Sequence, residues 1–171
     1  MIPLRPTELL SALNREGVDY VLIGGLAAAI RGTTRVTRDI DIAYATPSRN
    51  LERLCEVLNR FEPRRIRLGV ASDTITMLSP ELLKHDGVLQ LSTTLGEVDL
   101  LNLVDGFKSY GGVKKLSEPC DLPNVSGSVY VMNIDGLLKA KRAMNRPKDR
   151  QDIVELDAIK QIPAAGPPSQ D

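Results

Sequence analysis

The chain has 171 residues, and its sequence predicts an α/β (α+β) fold in which helices flank a mixed β-sheet. Three observations support this prediction. Helically spaced apolar residues alternate with short β-branched runs up to about residue 61. Two further runs, at 88–93 and 97–103, are joined by a tight turn and predict a hairpin. Helix start signals then precede the last two periodic segments.

The N-terminal part predicts three helices and two strands. Thr7 is a candidate N-cap, Gly17 and Gly32 are stop signals, and Pro47 stands at a helix start. Unbroken apolar runs between these signals predict the strands. In chain order the predicted elements are a helix at 8–16, a strand at 18–23, a helix at 24–31, a strand at 39–44 and a helix at 48–61.

The remaining part predicts the hairpin and two closing helices. Asn133 or Asp135 caps the first of these helices, and Pro147 begins the second. The predicted elements are a short strand and loop at 63–73, a helical turn from 79, strands at 88–93 and 97–103, a helix or lysine-bearing loop at 105–116, a strand at 129–132, and helices ending near 144 and 162.

Length and composition predict one domain, residues 1–162 with its C-terminal helices, followed by a disordered tail at 163–171. Basic and acidic residues both number 22, and aromatic residues make up 4%, so neither charge nor stacking indicates a general nucleic-acid surface. Cys55 and Cys120 are expected to be free thiols. The longest apolar run is too short for a membrane span and no secretory signal is visible, which predicts a cytoplasmic protein without membrane contact.

A pair of aspartates carries the strongest chemical signal. Asp39 and Asp41 alternate with Ile40 and Ile42 in a predicted strand, so both carboxylates project from one face. Two adjacent carboxylates raise each other's pKa unless a cation lies between them. Mg²⁺ prefers carboxylate oxygens together with substrate phosphates. A solvated edge strand is the alternative, but the two isoleucines facing a core favour a metal site.

A glycine pair lies just upstream, at a predicted helix N-terminus. Gly24 and Gly25 can form a phosphate cradle there, although a tight strand-to-helix packing turn explains them equally well. Arg35 and Thr37, just before the aspartate strand, either steer phosphate or order the loop. Metal ligands and a phosphate site in one short unit indicate an enzyme that acts on nucleotides.

A third carboxylate is needed if two metal ions are to be held. Asp99 is the best candidate because it lies in a strand otherwise rich in Val and Leu, where ionised groups are rarely buried unpaired. Glu97, one strand repeat away, is the reserve candidate. The alternative to a metal-binding role is that Asp99 is simply a charged residue at the edge of the hairpin. With three acids, one metal ion can hold a triphosphate while the other activates an attacking hydroxyl.

Several of these features, in this order, resemble the DNA polymerase β-like nucleotidyltransferase superfamily. They are the turn Gly24-Gly25, the run Arg35-x-Thr37-x-Asp39-Ile40-Asp41, and Asp99. The resemblance implies a nucleotidyltransferase-like fold, a triphosphate held at the glycine turn, and Mg²⁺ (or Mn²⁺) held by the three aspartates. Asp99 would also help to deprotonate the acceptor hydroxyl. Many members have Ser where this chain has Gly25, so here the backbone would serve alone.

The C-terminal part resembles a subgroup, the minimal AbiEii-like nucleotidyltransferases of bacteria and archaea. The resemblance rests on the run Lys141-Arg142-Ala143-x-x-Arg146-Pro147-Lys148-Asp149-x-x-Asp152. Lys141 either assists the pyrophosphate leaving group or merely solvates a helix face. Asp149 and Asp152 either complement a helix dipole or pair with Arg146 or Arg150.

The resemblance implies transfer of a nucleoside monophosphate, for example from ATP, to an acceptor hydroxyl. The acceptor is RNA such as a tRNA end, a small molecule such as an aminoglycoside or lincosamide, or a protein. AbiEii-like relatives suggest a toxin of a toxin–antitoxin pair, with an antitoxin or a homodimer as partner. The alternative is a non-catalytic nucleotide-binding or antitoxin module with the same fold. Asp99 within reach of Asp41 would count against that alternative.

Overall fold

The computed structural model describes residues 2–84 and 87–162. Helices and strands alternate up to residue 59, as predicted. The helices are α1 (Pro6–Arg15), α2 (Gly24–Ile30), α3 (Ser48–Asn59), α4 (Pro80–Leu83), α5 (Tyr110–Lys115), α6 (Ile134–Met144) and α7 (Asp149–Gln161). The strands are β1 (Tyr20–Ile23), β2 (Asp39–Tyr44), β3 (Arg64–Arg67), β4 (Val70–Ala71), β5 (Val88–Thr93), β6 (Gly96–Leu101), β7 (Ser117–Cys120) and β8 (Val129–Met132).

One mixed sheet organises the fold, with strand order β4-β3-β5-β6-β2-β1-β8-β7. Strand β2 is antiparallel to β1 and parallel to β6, and β5 and β6 form the predicted antiparallel hairpin. The parallel pair is joined by a long crossover that contains α3, as a parallel connection requires. The predicted mixed sheet flanked by helices is therefore confirmed.

The centre of the sheet separates an apolar face from a polar one. Ile40 and Ile42 of β2 are fully buried, and strand alternation places Asp39 and Asp41 on the opposite face. Tyr44 continues the apolar face and its hydroxyl donates a hydrogen bond to the Leu83 carbonyl at 2.9 Å. Because β2 lies between β6 and β1, the edge-strand alternative for the aspartates is wrong.

Some boundaries differ from those predicted from sequence. Helix α1 begins at Pro6, and Thr7 lies inside it, so the predicted Thr7 cap is wrong. A proline fits the first turn because its missing N–H would have no helical acceptor there. Asn133 does cap α6, with its side chain accepting from the Gly136 N–H at 2.9 Å. The last helix begins at Asp149 and not at Pro147.

Strand β7 was not predicted at all. It contains Pro119, which cannot donate a ladder hydrogen bond, and its sequence lacks β-branched residues. It is nevertheless tolerated because it lies at the edge of the sheet and pairs only with β8. His85, interpreted as a surface or structural residue, and the predicted tail at 163–171 lie outside the described residues. Within the described part of the chain, no helix is long and apolar enough to cross a membrane.

Candidate functional site

Three carboxylates converge on the polar face of the sheet. The parallel register of β2 and β6 places Asp41 directly beside Asp99 and Asp39 beside Glu97. One oxygen from each of Asp39, Asp41 and Asp99 lies within 4.8 Å of the others. Asp99 is only 9% exposed and its strand lies between β5 and β2, so the hairpin-edge alternative is wrong. Glu97, the reserve candidate, is exposed and lies outside this cluster.

The acid cluster is electrostatically strained. Burial raises the pKa of Asp41 to about 7, with further contributions from the charges of Asp39 and Asp99. The Gly25 N–H and Lys148 oppose this shift. Burial also raises the pKa of Asp99, against the lowering effect of a hydrogen bond from Gln90. Clustered oxygen ligands with suppressed ionisation fit a hard divalent cation such as Mg²⁺ or Mn²⁺, whose charge would favour the ionised form.

The glycine pair is shaped around this cluster. Gly24 has φ +66°, and a Cβ there would lie 1.9 Å from the Asp41 Oδ2 atom. The Gly25 N–H donates to the same oxygen at 3.3 Å. A Cβ on Gly25 would lie 2.7 Å from the Thr37 hydroxyl oxygen. Both glycines therefore allow the turn to approach side chains that a larger residue would displace.

Two neutral side chains hold the outer aspartates. The Thr37 hydroxyl donates to Asp39 Oδ1 at 2.8 Å, which fits the loop-ordering alternative proposed for this residue. Gln90 Nε2 donates to Asp99 Oδ2 at 3.1 Å. Gln90 was not among the site residues predicted from sequence. The signal that could have identified it is its position in the hairpin, directly opposite Asp99 across β5 and β6.

A buried ion cluster lies beside the acids. Lys141 is 3% exposed, and its Nζ atom lies 2.6 Å from Asp152 Oδ2 and 3.6 Å from Asp149 Oδ1. The helix-face alternative for Lys141 is therefore wrong. Arg35 binds the same Asp152 oxygen at 2.9 Å, and Arg146 binds Asp149 at 2.7 Å. The cluster ties the loop before β2 to both C-terminal helices.

The two aspartates of this cluster do more than complement a helix dipole. Asp149 and Asp152 are 0% and 1% exposed, so each needs an ionic partner. Burial would raise the pKa of Asp149, but the hydrogen bonds and charge of Arg146, together with Lys141, lower it overall. The pairing with Arg146 was predicted. The pairings with Lys141 and Arg35 were not, because the first depends on how α6 packs against α7 and the second joins segments far apart in sequence.

A cavity of about 230 Å³ lies against the acids and against most of the ion cluster. It is lined by the three acids, the glycine turn, a group of cations and an apolar wall. The lining cations are Arg35, Lys141, Arg146 and Lys148. The apolar wall includes Val88, Leu101, Val104, Leu137, Ala140 and Met144. Among the described residues Lys148 makes no ion pair, which leaves its charge available to a ligand. The cavity thus combines the three clustered carboxylates, positive charge and apolar surface.

Comparison with known proteins gives a consistent result. A family model described as nucleotidyltransferase of unknown function (DUF6036) matches residues 7–164. No curated protein matches the chain. Among solved structures, a candidate nucleotidyltransferase from Thermotoga maritima is 15% identical with a TM-score of 0.55, covering 91% of this chain and 95% of its own.

Two further solved structures are similar. An antigenic nucleotidyltransferase-like protein from Paracoccidioides brasiliensis is 17% identical with a TM-score of 0.51, covering 92% of this chain and 78% of its own. ANT(2″)-Ia, in complex with adenylyl-2″-tobramycin, is 13% identical with a TM-score of 0.51, covering 89% of this chain and 88% of its own. At these identities the likeness establishes the fold, which is that of nucleotidyltransferases.

Proposed function

Since this chain belongs to the DUF6036 family of nucleotidyltransferases, we propose that it moves a nucleoside monophosphate from an NTP to an acceptor hydroxyl and releases pyrophosphate. The observation that carries the proposal is the convergence of Asp39, Asp41 and Asp99 within 4.8 Å, beside a glycine turn. Positioning and charge neutralisation account for most of the catalysis in such transfers.

The three aspartates would hold Mg²⁺ or Mn²⁺, which suits their oxygen donors. When bound, such an ion neutralises triphosphate charge and lowers the pKa of an attacking hydroxyl. Asp99 would accept the proton of the acceptor hydroxyl at a carboxylate oxygen. Gln90 would orient that carboxylate through its hydrogen bond to Oδ2, and Thr37 would orient Asp39 in the same way.

The phosphates would lie along the glycine turn and the lining cations. Gly24 and Gly25 line the cavity beside the acids, so we place the triphosphate against this turn. Lys148 would bind phosphate directly, since it lines the cavity and makes no ion pair with any described residue. Arg35 and Lys141 line the cavity while each holds Asp152, so we propose that they contribute positive potential towards the leaving pyrophosphate.

The acceptor remains a choice between RNA, such as a tRNA end, a small molecule and a protein. The fold similarity to ANT(2″)-Ia, solved with adenylyl-2″-tobramycin, supports including aminoglycosides. Several finer statements stay predictions. They are membership of the AbiEii-like subgroup, ATP as the donor, a toxin role with an antitoxin or a homodimer as partner, a single domain at 1–162, and a cytoplasmic location. Asp99 out of reach of Asp41 would have favoured the non-catalytic alternative, and the convergence counts against it.

The test is transfer of label from α-labelled ATP, CTP, GTP and UTP in the presence of Mg²⁺ or Mn²⁺. Cell RNA, cell protein and a set of aminoglycosides and lincosamides serve as acceptors. Asp41→Asn should abolish transfer, while Glu52→Gln, at an exposed position on α3, should not change it. Label in one acceptor class would identify the substrate class. Absence of transfer to every acceptor, despite metal-dependent nucleotide binding, would favour the non-catalytic module.

A further inference from the structure

The hairpin of β3 and β4 carries an unbalanced positive charge at one edge of the sheet. Three arginines, Arg64, Arg65 and Arg67, lie within four consecutive residues. Within residues 2–84 and 87–162 none of them pairs with a carboxylate. Arg64 instead donates to the backbone carbonyl of Asp73. This concentration of charge contrasts with the zero net charge of the whole chain.

Two of these arginines line a separate concave surface, which we call the hairpin site. It has a volume of about 440 Å³ and is lined by Arg65, Arg67, Val70, Ala71, Ser72 and Thr76. Arg65 pairs in register with Leu91, whereas the neighbouring Gln90 pairs with Asp99. Strand alternation therefore places the hairpin site on the reverse face of the sheet from the acids. It shares no lining residue with the candidate active-site cavity.

The arginine donors at this site are only partly used. The Nε atom of Arg65 is buried and has no hydrogen-bond partner among the described residues. A buried donor without a partner is rare in folded proteins, and an ion or water that binds there is one explanation for it. Ser72 and Thr76 also line the site; the Ser72 hydroxyl contacts the Thr74 hydroxyl and accepts from the Thr74 N–H, and a hydroxyl can both donate and accept. The site therefore offers charged and neutral donors together.

We propose that the hairpin site binds a phosphate group. A phosphate presents enough acceptor oxygens to be shared between two guanidinium groups and two hydroxyls, whereas a carboxylate has only two oxygens. The planar fork of arginine also matches phosphate geometry. The group can come from a phosphodiester of a nucleic-acid strand or from free phosphate or nucleotide. A strand held here would lie outside the catalytic cavity and would be anchored at the sheet edge.

The test uses NMR spectra of the arginine Nε–Hε groups in the full ¹⁵N-labelled chain, with EDTA present to suppress metal-dependent binding elsewhere. Inorganic phosphate is titrated against sodium chloride of equal ionic strength, and then an oligouridylate without terminal phosphate is titrated. We expect saturable shifts of the Arg65 and Arg67 signals with phosphate groups and not with chloride. Tighter binding of the oligouridylate would assign the source to a strand, and binding of phosphate alone would assign it to a free anion.

Variants make the assignment specific. Arg67 is exposed, so Arg67→Gln should fold normally and weaken binding at Arg65 by about tenfold, through loss of charge-assisted hydrogen bonds. Arg49→Gln removes the same charge from an exposed position on α3 and should leave the affinity unchanged. Four outcomes would each overturn the proposal. They are no shift of the Arg65 and Arg67 signals, equal shifts with phosphate and with chloride, an equal loss of affinity in both variants, and an affinity for polyglutamate equal to that for phosphate groups. None of these outcomes bears on nucleotidyl transfer, because the two cavities share no lining residue.

Discussion

Replacing Asp41 by Asn should stabilise the metal-free protein at alkaline pH while abolishing transfer. The pKa of Asp41 is raised from 3.8 to about 7 by burial and by its neighbouring carboxylates. A folded-state pKa above the unfolded value means that the folded state binds more protons, so stability falls as pH rises from about 4 to 7. Asn is neutral at every pH and can still accept from the Gly25 N–H, so the variant avoids this loss.

The magnitude follows from the shift. About three pKa units at ~1.4 kcal/mol each give up to about 4 kcal/mol, of which about 2.5 kcal/mol falls between pH 5 and pH 8. The free energy of unfolding is measured by urea denaturation in EDTA at both pH values. The wild-type protein should lose about 2.5 kcal/mol more than Asp41→Asn over this interval. Adding Mg²⁺ at pH 8 should stabilise the wild-type protein and not the variant.

A matched control separates this effect from general charge removal. Glu52 is exposed on α3, so Glu52→Gln should follow the wild-type pH dependence. If Asp41→Asn and the wild-type protein lose stability in parallel between pH 5 and pH 8, the Asp41 carboxylate is not strained. The argument that the acid cluster is built to bind a cation would then fail.

Four further variants test the neighbouring contacts. Gly24→Ala should weaken Mn²⁺ binding and nucleotidyl transfer, because its Cβ would lie 1.9 Å from a carboxylate oxygen of Asp41 and the backbone has φ +66°. An unchanged Mn²⁺ affinity would contradict this prediction. Lys141→Met should lower the free energy of unfolding in urea by about 3 kcal/mol, because it removes the buried cation between Asp149 and Asp152 and leaves each aspartate with a single arginine partner. Lys148→Ala should change the free energy of unfolding by less than about 0.5 kcal/mol and raise KM for the NTP. Equal stabilities of the two lysine variants would show that Lys141 does not stabilise the buried aspartates. Gln90→Ala should raise the pKa of Asp99, because it removes the hydrogen bond from Gln90, and should therefore move the acid limb of the rate–pH profile to higher pH. If Gln90 served only to support the fold, the variant would lower the rate equally at all pH values.

Several elements could be predicted almost to the residue from sequence. Strands β2, β5 and β8 begin and end as predicted, because their apolar alternation or unbroken apolar runs are bounded by clear turn signals. Strand β7 escaped prediction because it contains Pro119 and is held only by its pairing with β8. Element type was thus predictable where local pattern and packing agree, and was not where pairing alone supports the strand.

The candidate site likewise has a part that local sequence predicts and a part that depends on strand pairing. The shared orientation of Asp39 and Asp41 follows from the two-residue period of a strand, which their immediate neighbours already determine. Asp99 joins them only because β6 lies parallel to β2 in a register that pairs it with Asp41. That register depends on packing between segments far apart in the chain.

The ion cluster shows the same limit more strongly. The sequence by itself determined that residues 141–152 are rich in charge, and the charge pattern is compatible with exposed helices. Only the tertiary structure decided that Lys141 is buried between Asp149 and Asp152, with Arg35 closing the cluster from another segment. Local periodicity is encoded by neighbouring residues, whereas burial of a charge depends on which distant elements pack over it.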